Sequence, residues 1–367
     1  MPNRILQGNV TDKLKELETG TVQCVVTSPP YWGLRDYGTA AWEGGDEKCD
    51  HSSAKEKSRY DYKNIGIQSG SKGTDAPRWK AKCPDCGAVK IDNQLGLEET
   101  PEEYVEKMVE VFREIKRVLK KDGTVWLNLG DSYASNHSTG TKDSDTGWTH
   151  GSISRGYQAR AGGSGIGSLK SKNLVGIPWR VAFALQADGW WLRQDIIWHK
   201  PAPMPESVTD RCTKAHEYIF LLTKSAKYKF NQLLEDLKPS TFNDKRLFNK
   251  DYTEQRKERN YPGNAQQGSG MLRPTEGRAN KRSVWSINTQ PYREAHFAVF
   301  PQKLPELCIK AGSREGDIIL DPFFGSGTTG YVAQKLGRRW IGIELNEEYI
   351  KIANKSCLLY TSPSPRD

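Results

Sequence analysis

The chain has 367 residues, 36% of them apolar and 27% charged, with a formal net charge of +9 and an isoelectric point near 9.0. That is enough chain for one large domain with insertions or for two domains, and the basic balance favours a polyanionic partner. A helical membrane span is excluded because no apolar run of about eighteen residues occurs. The opening MPNRILQGNV lacks the apolar core of a secretory signal, so a cytoplasmic protein is expected.

In chain order, the Val-rich run 22–27 reads as a buried strand ending in a turn. Residues 44–96 are polar, rich in Gly, Ser and Lys, and look like an insertion. Apolar residues at Tyr104, Val105, Met108, Val109, Phe112, Ile115, Val118 and Leu119, with Pro101 ahead of them, predict a helix over 101–119. Gly123 then separates it from a strand over 124–129. Residues 132–171 lack periodicity and read as a mobile loop. A helix over 178–187 and strands over 191–198 and 218–223 follow. Residues 242–288 are polar and basic. Order returns with a strand at 318–320, a helix at 328–336, a strand at 340–343 and a helix at 347–354. Alternating strands and helices imply a mostly parallel α/β sheet covered on both faces. The eleven residues 357–367, CLLYTSPSPRD, correspond to one reading frame of a common sequencing adapter. They are expected to be assembly read-through and carry no functional reading.

Two turns look chemical. In TSPPYW (27–32), two prolines stiffen the chain and remove two N–H donors. Ser28 Oγ and the Pro29 carbonyl can then accept from a single amino group, and Tyr31 offers a flat face for stacking. In IILDPFFGSGTT (318–329), Gly325 and Gly327 let the backbone bend and approach a ligand closely. The helix start after them suits a carboxylate or phosphate, and Asp321 suits an ammonium, so an amino-acid moiety would satisfy both. Glu344, seventeen residues after Gly327, is placed to accept from ribose hydroxyls.

Together these motifs resemble the amino-group DNA methyltransferases, specifically the permuted β-class, in which the SPPY motif precedes the glycine-rich one. Further similar blocks are GTVWLNLGDSY (123–133), LRQDIIWHKPAPMPES (192–207), AHEYIFLLTKS (215–225) and HFAVFPQKLPE (296–306). The resemblance implies a Rossmann-like, S-adenosylmethionine-dependent α/β sheet with circularly permuted motif order. Ser28, Pro29, Pro30 and Tyr31 would be catalytic. Asp321, Pro322, Phe323, Gly325, Ser326, Gly327, Thr328, Thr329 and Glu344 would bind the cofactor, with Phe297 and Phe300 at its methionine end. Asn9 stands where the family often has an Asp that contacts the cofactor adenine. Ser28 as the first motif residue favours cytosine N4 over adenine N6 as target. Cytosine C5 chemistry is discarded, because it needs a thiolate and no Pro-Cys pair occurs. A base amino group lies inside the duplex, so the base must be flipped out and stacked. The implied partner is double-stranded DNA, with a cognate restriction endonuclease a further candidate. A rival reading from another class is a DNA-binding zinc protein with an inactive core.

The expected division is core at 1–43, insertion at 44–96, core at 97–225, target-recognition region at 226–290 and cofactor-binding core at 291–356. Cys49-x-His51 and Cys83-x2-Cys86, separated by 31 residues, supply four soft donors for a structural zinc in the insertion. Residues 245–282 hold ten Lys/Arg against four acids, a net +6. Arg256, Lys257, Arg259, Arg273, Arg278, Lys281 and Arg282 are therefore candidate DNA contacts. His199 and His216 lie beside apolar runs and are expected to be packed or hydrogen-bonded rather than basic catalysts.

Overall fold

The protein is seen in a computed structural model that describes residues 3–33, 39–55, 80, 82–92, 94–134, 169–236, 278–290 and 300–358. The candidates Arg256, Lys257, Arg259, Arg273 and Phe297, most of the expected 132–171 loop and most of the tail lie outside these residues.

The strands are β1 (Arg4–Gln7), β2 (Val22–Thr27), β3 (Ala41–Glu43), β4 (Val89–Ile91), β5 (Leu119–Leu129), β6 (Trp191–His199), β7 (His216–Thr223), β8 (Leu234–Asp236), β9 (Arg278–Asn280), β10 (Val284–Ser286), β11 (Ile318–Asp321) and β12 (Arg339–Glu344). The helices are α1 (Val10–Lys15), α2 (Pro101–Val118), α3 (Ile177–Ala187), α4 (Lys303–Gly312), α5 (Thr328–Lys335) and α6 (Glu347–Leu358). Eight strands form one sheet in the order β1-β12-β11-β2-β5-β7-β6-β10. All run parallel except β7, which is antiparallel to both neighbours. Two small ribbons, β3–β4 and β8–β9, stand apart.

Strand alternation divides the core. Val25, Val125, Leu127, Phe220 and Leu320 face one side with Leu14, Met108, Phe112 and Leu185 from α1, α2 and α3. Their neighbours Cys24, Val26, Trp126, Ile219 and Ile319 face the other with Cys308, Val332 and Ala353 from α4, α5 and α6. Both faces are thus covered, which explains why β2 is buried at every position. Helix α2 starts where Thr100 accepts from the Glu103 N–H at 3.2 Å and Pro101 occupies the first turn.

Three departures from the sequence expectations have local causes. Strand β5 begins at Leu119, so Gly123 lies within it rather than ending the helix. A Cβ there would meet Gln23 O at 2.9 Å and Leu119 Cγ at 2.6 Å, so glycine serves close packing at an irregularity in the β2–β5 register. The 226–290 segment also builds the core: β10 is one of the sheet's two edge strands, and Trp285 is buried in the core. Helix α6 continues beyond 354 through Leu358. Among the described residues, no helix is long and apolar enough to cross a membrane.

Candidate active site

The two chemical turns leave adjacent strands. Strands β2 and β11 pair in parallel, with Leu320 opposite Val25, so Ser28 and Asp321 emerge at the same edge of the sheet. Thr27 Oγ1 donates to Asp321 Oδ1 at 2.7 Å, joining residues 294 positions apart.

Beside this junction lies a cleft of about 1050 Å³, partly open to solvent. Asn9 enters it from the end of β1, Ser28 and Pro30 from the turn after β2, and Phe300 from the approach to α4. The turn after β11 contributes Asp321, Pro322, Phe323, Gly325, Ser326 and Thr328, and β12 contributes Glu344. Pro29 is buried beside the lining. Gly327 caps α5 in the left-handed region (φ 83°) with no side chain at the cap, and its missing Cβ would lie 2.9 Å from Ala353 Cβ. The first N–H groups of α5 therefore have no side-chain cap. Thr329 is buried behind the turn and donates to Asp321 Oδ2 at 2.6 Å.

Asp321 also accepts from the Phe323 N–H at 3.1 Å. Burial pushes its carboxyl up to about 7, with nearby Glu344 adding to the rise, against the pull of the three donors. Glu344 accepts from the N–H of Gly325 at 2.7 Å and of Asn346 at 2.9 Å. Both its oxygens are thereby oriented, each keeping a lone pair. Burial raises this carboxyl too. Asn9 is the N-cap of α1, its Oδ1 accepting from the Thr11 N–H at 2.9 Å. That cap uses one lone pair of the amide oxygen proposed for an adenine contact and leaves the other.

Tyr31 stands in a polar network that sequence reasoning missed. Its hydroxyl donates to Glu217 Oε2 at 2.7 Å, and Ser28 Oγ lies 3.2 Å from the phenol oxygen. Asn128 Nδ2 donates to the same Glu217 oxygen at 3.1 Å, and Lys200 forms an ion pair with the other oxygen. Burial and the Glu217 charge hold the phenol pKa well above 10. The Tyr31 ring fits because position 130 is glycine: a Cβ there would lie 2.6 Å from Tyr31 Cε2. Asn128, Lys200 and Glu217 come from three blocks already noted at the ends of β5, β6 and β7. The available signal was a polar residue at each strand end beside an apolar run. Thr39, Gln94 and Leu95 also line the cleft and were not expected, because the insertion carried no periodicity.

Of the two histidines, His199 Nδ1 pairs with Ser286 Oγ at 3.1 Å, and His216 packs edge-on to Tyr218. In the insertion, the ligand atoms of Cys49, His51, Cys83 and Cys86 lie within 4.8 Å of one another. Cys49 Sγ and Cys83 Sγ are 3.8 Å apart, and Cys86 Sγ is 3.4 Å from His51 Nδ1. The candidate DNA contacts at 278–282 each lie beside an acid. Arg278 is 3.8 Å from Asp236, Lys281 is 3.7 Å from Glu235, and Arg282 is paired with Glu235. The charge count over 245–282 omitted these two acids, which the β8–β9 ribbon brings back beside the cations.

Known proteins resemble this chain in sequence and fold. The Type II methyltransferase M.SmaI of Serratia marcescens is 39% identical over 97% of this chain and 90% of its own length. M.Cfr9I of Citrobacter freundii is 38% identical over 95% and 85%. Among solved structures, the cytosine-N4-specific PvuII DNA methyltransferase aligns with a TM-score of 0.54 at 16% identity, over 97% of this chain and 86% of that one. A Thermus thermophilus protein, solved with S-adenosyl-L-methionine, aligns at 0.50 and 18% identity, over 97% of this chain and 93% of that one. The profile of the DNA methylase family that modifies N6 and N4 amino groups matches residues 22–355. With both chemical turns on one cleft and the profile spanning them, the chain belongs to the N6/N4 amino-group DNA methyltransferases.

Proposed function

We propose that this type II, S-adenosylmethionine-dependent DNA methyltransferase modifies the N4 amino group of a flipped-out cytosine in duplex DNA. The observation that supports it most is the 2.7 Å bond between Thr27 and Asp321, which keeps the SPPY turn against the glycine-rich turn.

Both halves of the cleft suit their ligands. The uncapped N–H groups of α5 would hold the cofactor carboxylate, Asp321 would face its ammonium, and Glu344 would accept from the ribose hydroxyls. Phe300 and Phe323 would border the cofactor, with Asn9 toward the adenine. S-adenosylmethionine supplies an electrophilic methyl group on sulfonium.

The residues prepare the nitrogen. A base amino group is weakly nucleophilic because its lone pair is delocalised into the ring. Tyr31 donates to Glu217, with Asn128 Oδ1 a second acceptor at 3.3 Å, so the phenol oxygen accepts from Ser28. The Ser28 proton points away from the base, and its oxygen is left as an acceptor. Ser28 Oγ and the Pro29 carbonyl then draw both amino protons and favour a pyramidal nitrogen. Holding that nitrogen in line with the methyl group supplies catalysis through orientation and preorganised electrostatics. The motif order, with the catalytic turn on β2 and the cofactor turn on β11, supports the circularly permuted β-class.

Outside the cleft, the four-donor cluster suits a structural zinc. Tetrahedral zinc with bonds of about 2.3 Å to sulfur and about 2.0 Å to nitrogen sets donors about 3.5–3.8 Å apart; two pairs stand at 3.8 Å and 3.4 Å, and all four donors lie within 4.8 Å of one another. A closed set of four leaves no position for substrate, so the metal has no catalytic role. Arg256, Lys257, Arg259 and Arg273 are the proposed phosphate or base contacts. Arg278, Lys281 and Arg282 would join them by exchanging Glu235 and Asp236 for DNA. A restriction endonuclease cutting the same unmethylated site is the proposed functional partner.

Ser28 favours N4, and mass spectrometry of nucleosides from treated DNA tests it. N4-methylcytosine is the expected product. N6-methyladenine would move the assignment to adenine, and no cofactor binding by calorimetry would leave a DNA-binding zinc protein.

A further inference from the structure

The metal-binding cluster and part of the cofactor cleft occupy opposite ends of one short ribbon. Strands β3 and β4 pair antiparallel, with Ala41 opposite Ile91 and Glu43 opposite Val89. At the Glu43–Val89 end the chain enters the Cys/His cluster. Cys83 N donates to Ala88 O at 2.8 Å, and Trp42 on β3 stacks on His51 with ring centroids 4.6 Å apart. Gly45 lets the strands close on the cluster: its φ is +76°, and a Cβ there would lie 2.8 Å from Cys86 Sγ. At the Ala41–Ile91 end, Asp92 Oδ1 accepts from Thr39 Oγ1 and from the Gln94 N–H, each at 3.1 Å. Thr39, Gln94 and Leu95 then form part of the cleft wall that also holds Ser28 and Pro30.

Among the described residues, the apolar cluster at the metal end of the ribbon contains three buried residues, Ala54, Cys83 and Ala88, and one of these is a metal-ligand candidate. Three small buried side chains contribute little against the entropy of ordering this end of the ribbon, and bridging four donors by one ion adds to them.

We propose that zinc bound by Cys49, His51, Cys83 and Cys86 braces the β3–β4 ribbon and so fixes Thr39 and Gln94 in the wall of the cofactor cleft, beside Leu95, which the main core holds. Cofactor affinity then depends on a metal that touches neither cofactor nor DNA. This rests on the reading that the cleft takes S-adenosylmethionine.

The test uses the full chain, with metal content by mass spectrometry and S-adenosylmethionine affinity by calorimetry. The expected result is one zinc per chain, affinity weakened about tenfold or more on chelation, and recovery on adding zinc. The large sheet should persist in the chelated protein by circular dichroism. Because chelation can unfold a protein, Asp92→Ala gives a second arm: it should keep its zinc and still lose cofactor affinity, since it cuts the ribbon's link to the wall. Absence of zinc, unchanged affinity in the zinc-free chain, or full affinity in Asp92→Ala would each overturn the coupling. Failure of the zinc-loaded wild type to bind the cofactor would instead overturn the assignment of the cleft.

Discussion

At the scale of single residues, two carboxylates carry different chemistry. Glu217 fixes two hydrogen bonds at once, from Tyr31 and Asn128, while Lys200 balances its charge. Glu217→Gln keeps the shape but leaves Lys200 uncompensated and weakens the acceptor that commits the Tyr31 proton. Single-turnover methyl transfer should fall on the order of 10–100-fold, with cofactor affinity by calorimetry unchanged. An equal loss in both would place Glu217 in folding rather than in positioning. Asp321 responds to pH. Its carboxyl is raised to about 7 by burial, so below that pH the folded protein keeps a proton there that the unfolded chain loses near pH 4. That protonated state is favourable below the unfolded value, and the advantage is lost as pH rises through about 7. A cofactor ammonium favours the ionised form, so binding should release a proton and tighten about tenfold from about pH 6 to pH 7.5. Calorimetry in buffers of different ionisation enthalpy measures this release; uptake of a proton would refute the ammonium placement.

At the scale of elements, strand ends decide what the site can hold. Gly130, just beyond β5, leaves space for the Tyr31 ring, and Gly130→Ala would drive a methyl into Cε2. The ring must move, so methyl transfer should fall well below wild type while cofactor binding stays intact. Retained turnover would show that the ring position is not critical. These ends also explain what was legible in the sequence. Strand β2 was readable because burial on both faces leaves a mostly apolar run, helix α2 because one buried face repeats apolar residues at helical spacing, and the β11–α5 turn because a ligand turn needs glycines beside an acid. Strand β1 and helix α1 were missed because they span four and six residues, too short for periodicity to register. Ribbons β3–β4 and β8–β9 are likewise three residues per strand and largely exposed. The Glu217–Lys200 pair could be quoted from its blocks but not assembled, because contact across β6 and β7 depends on antiparallel register, which spacing does not encode.

At the scale of the whole molecule, charge and connectivity act over long distances. The net charge of +9 is concentrated in residues 245–282, which alone contribute +6. If Arg256, Lys257 and Arg259 grip phosphates, neutralising all three should flatten the slope of log affinity against log salt by about 3, and an unchanged slope would remove them from the interface. Connectivity makes the cofactor a tie between distant segments. The cleft is bounded by Asn9 near the start of the chain, Ser28 and Leu95 from the first third, and Asp321 and Glu344 near the other end. Strands β1, β12, β11 and β2, which carry most of these groups, are consecutive in the sheet although they come from both ends of the sequence. A ligand that contacts all of them binds only when this half of the sheet is assembled, so its binding energy adds to that of folding. At about 100 times its dissociation constant, S-adenosylmethionine should add about 2.7 kcal/mol and raise Tm by about 3–4 °C. The rise should grow with the logarithm of cofactor concentration, and Asp321→Ala should abolish it. A thermal shift in the wild type that persists in Asp321→Ala would mean that the stabilising site lies elsewhere on the protein.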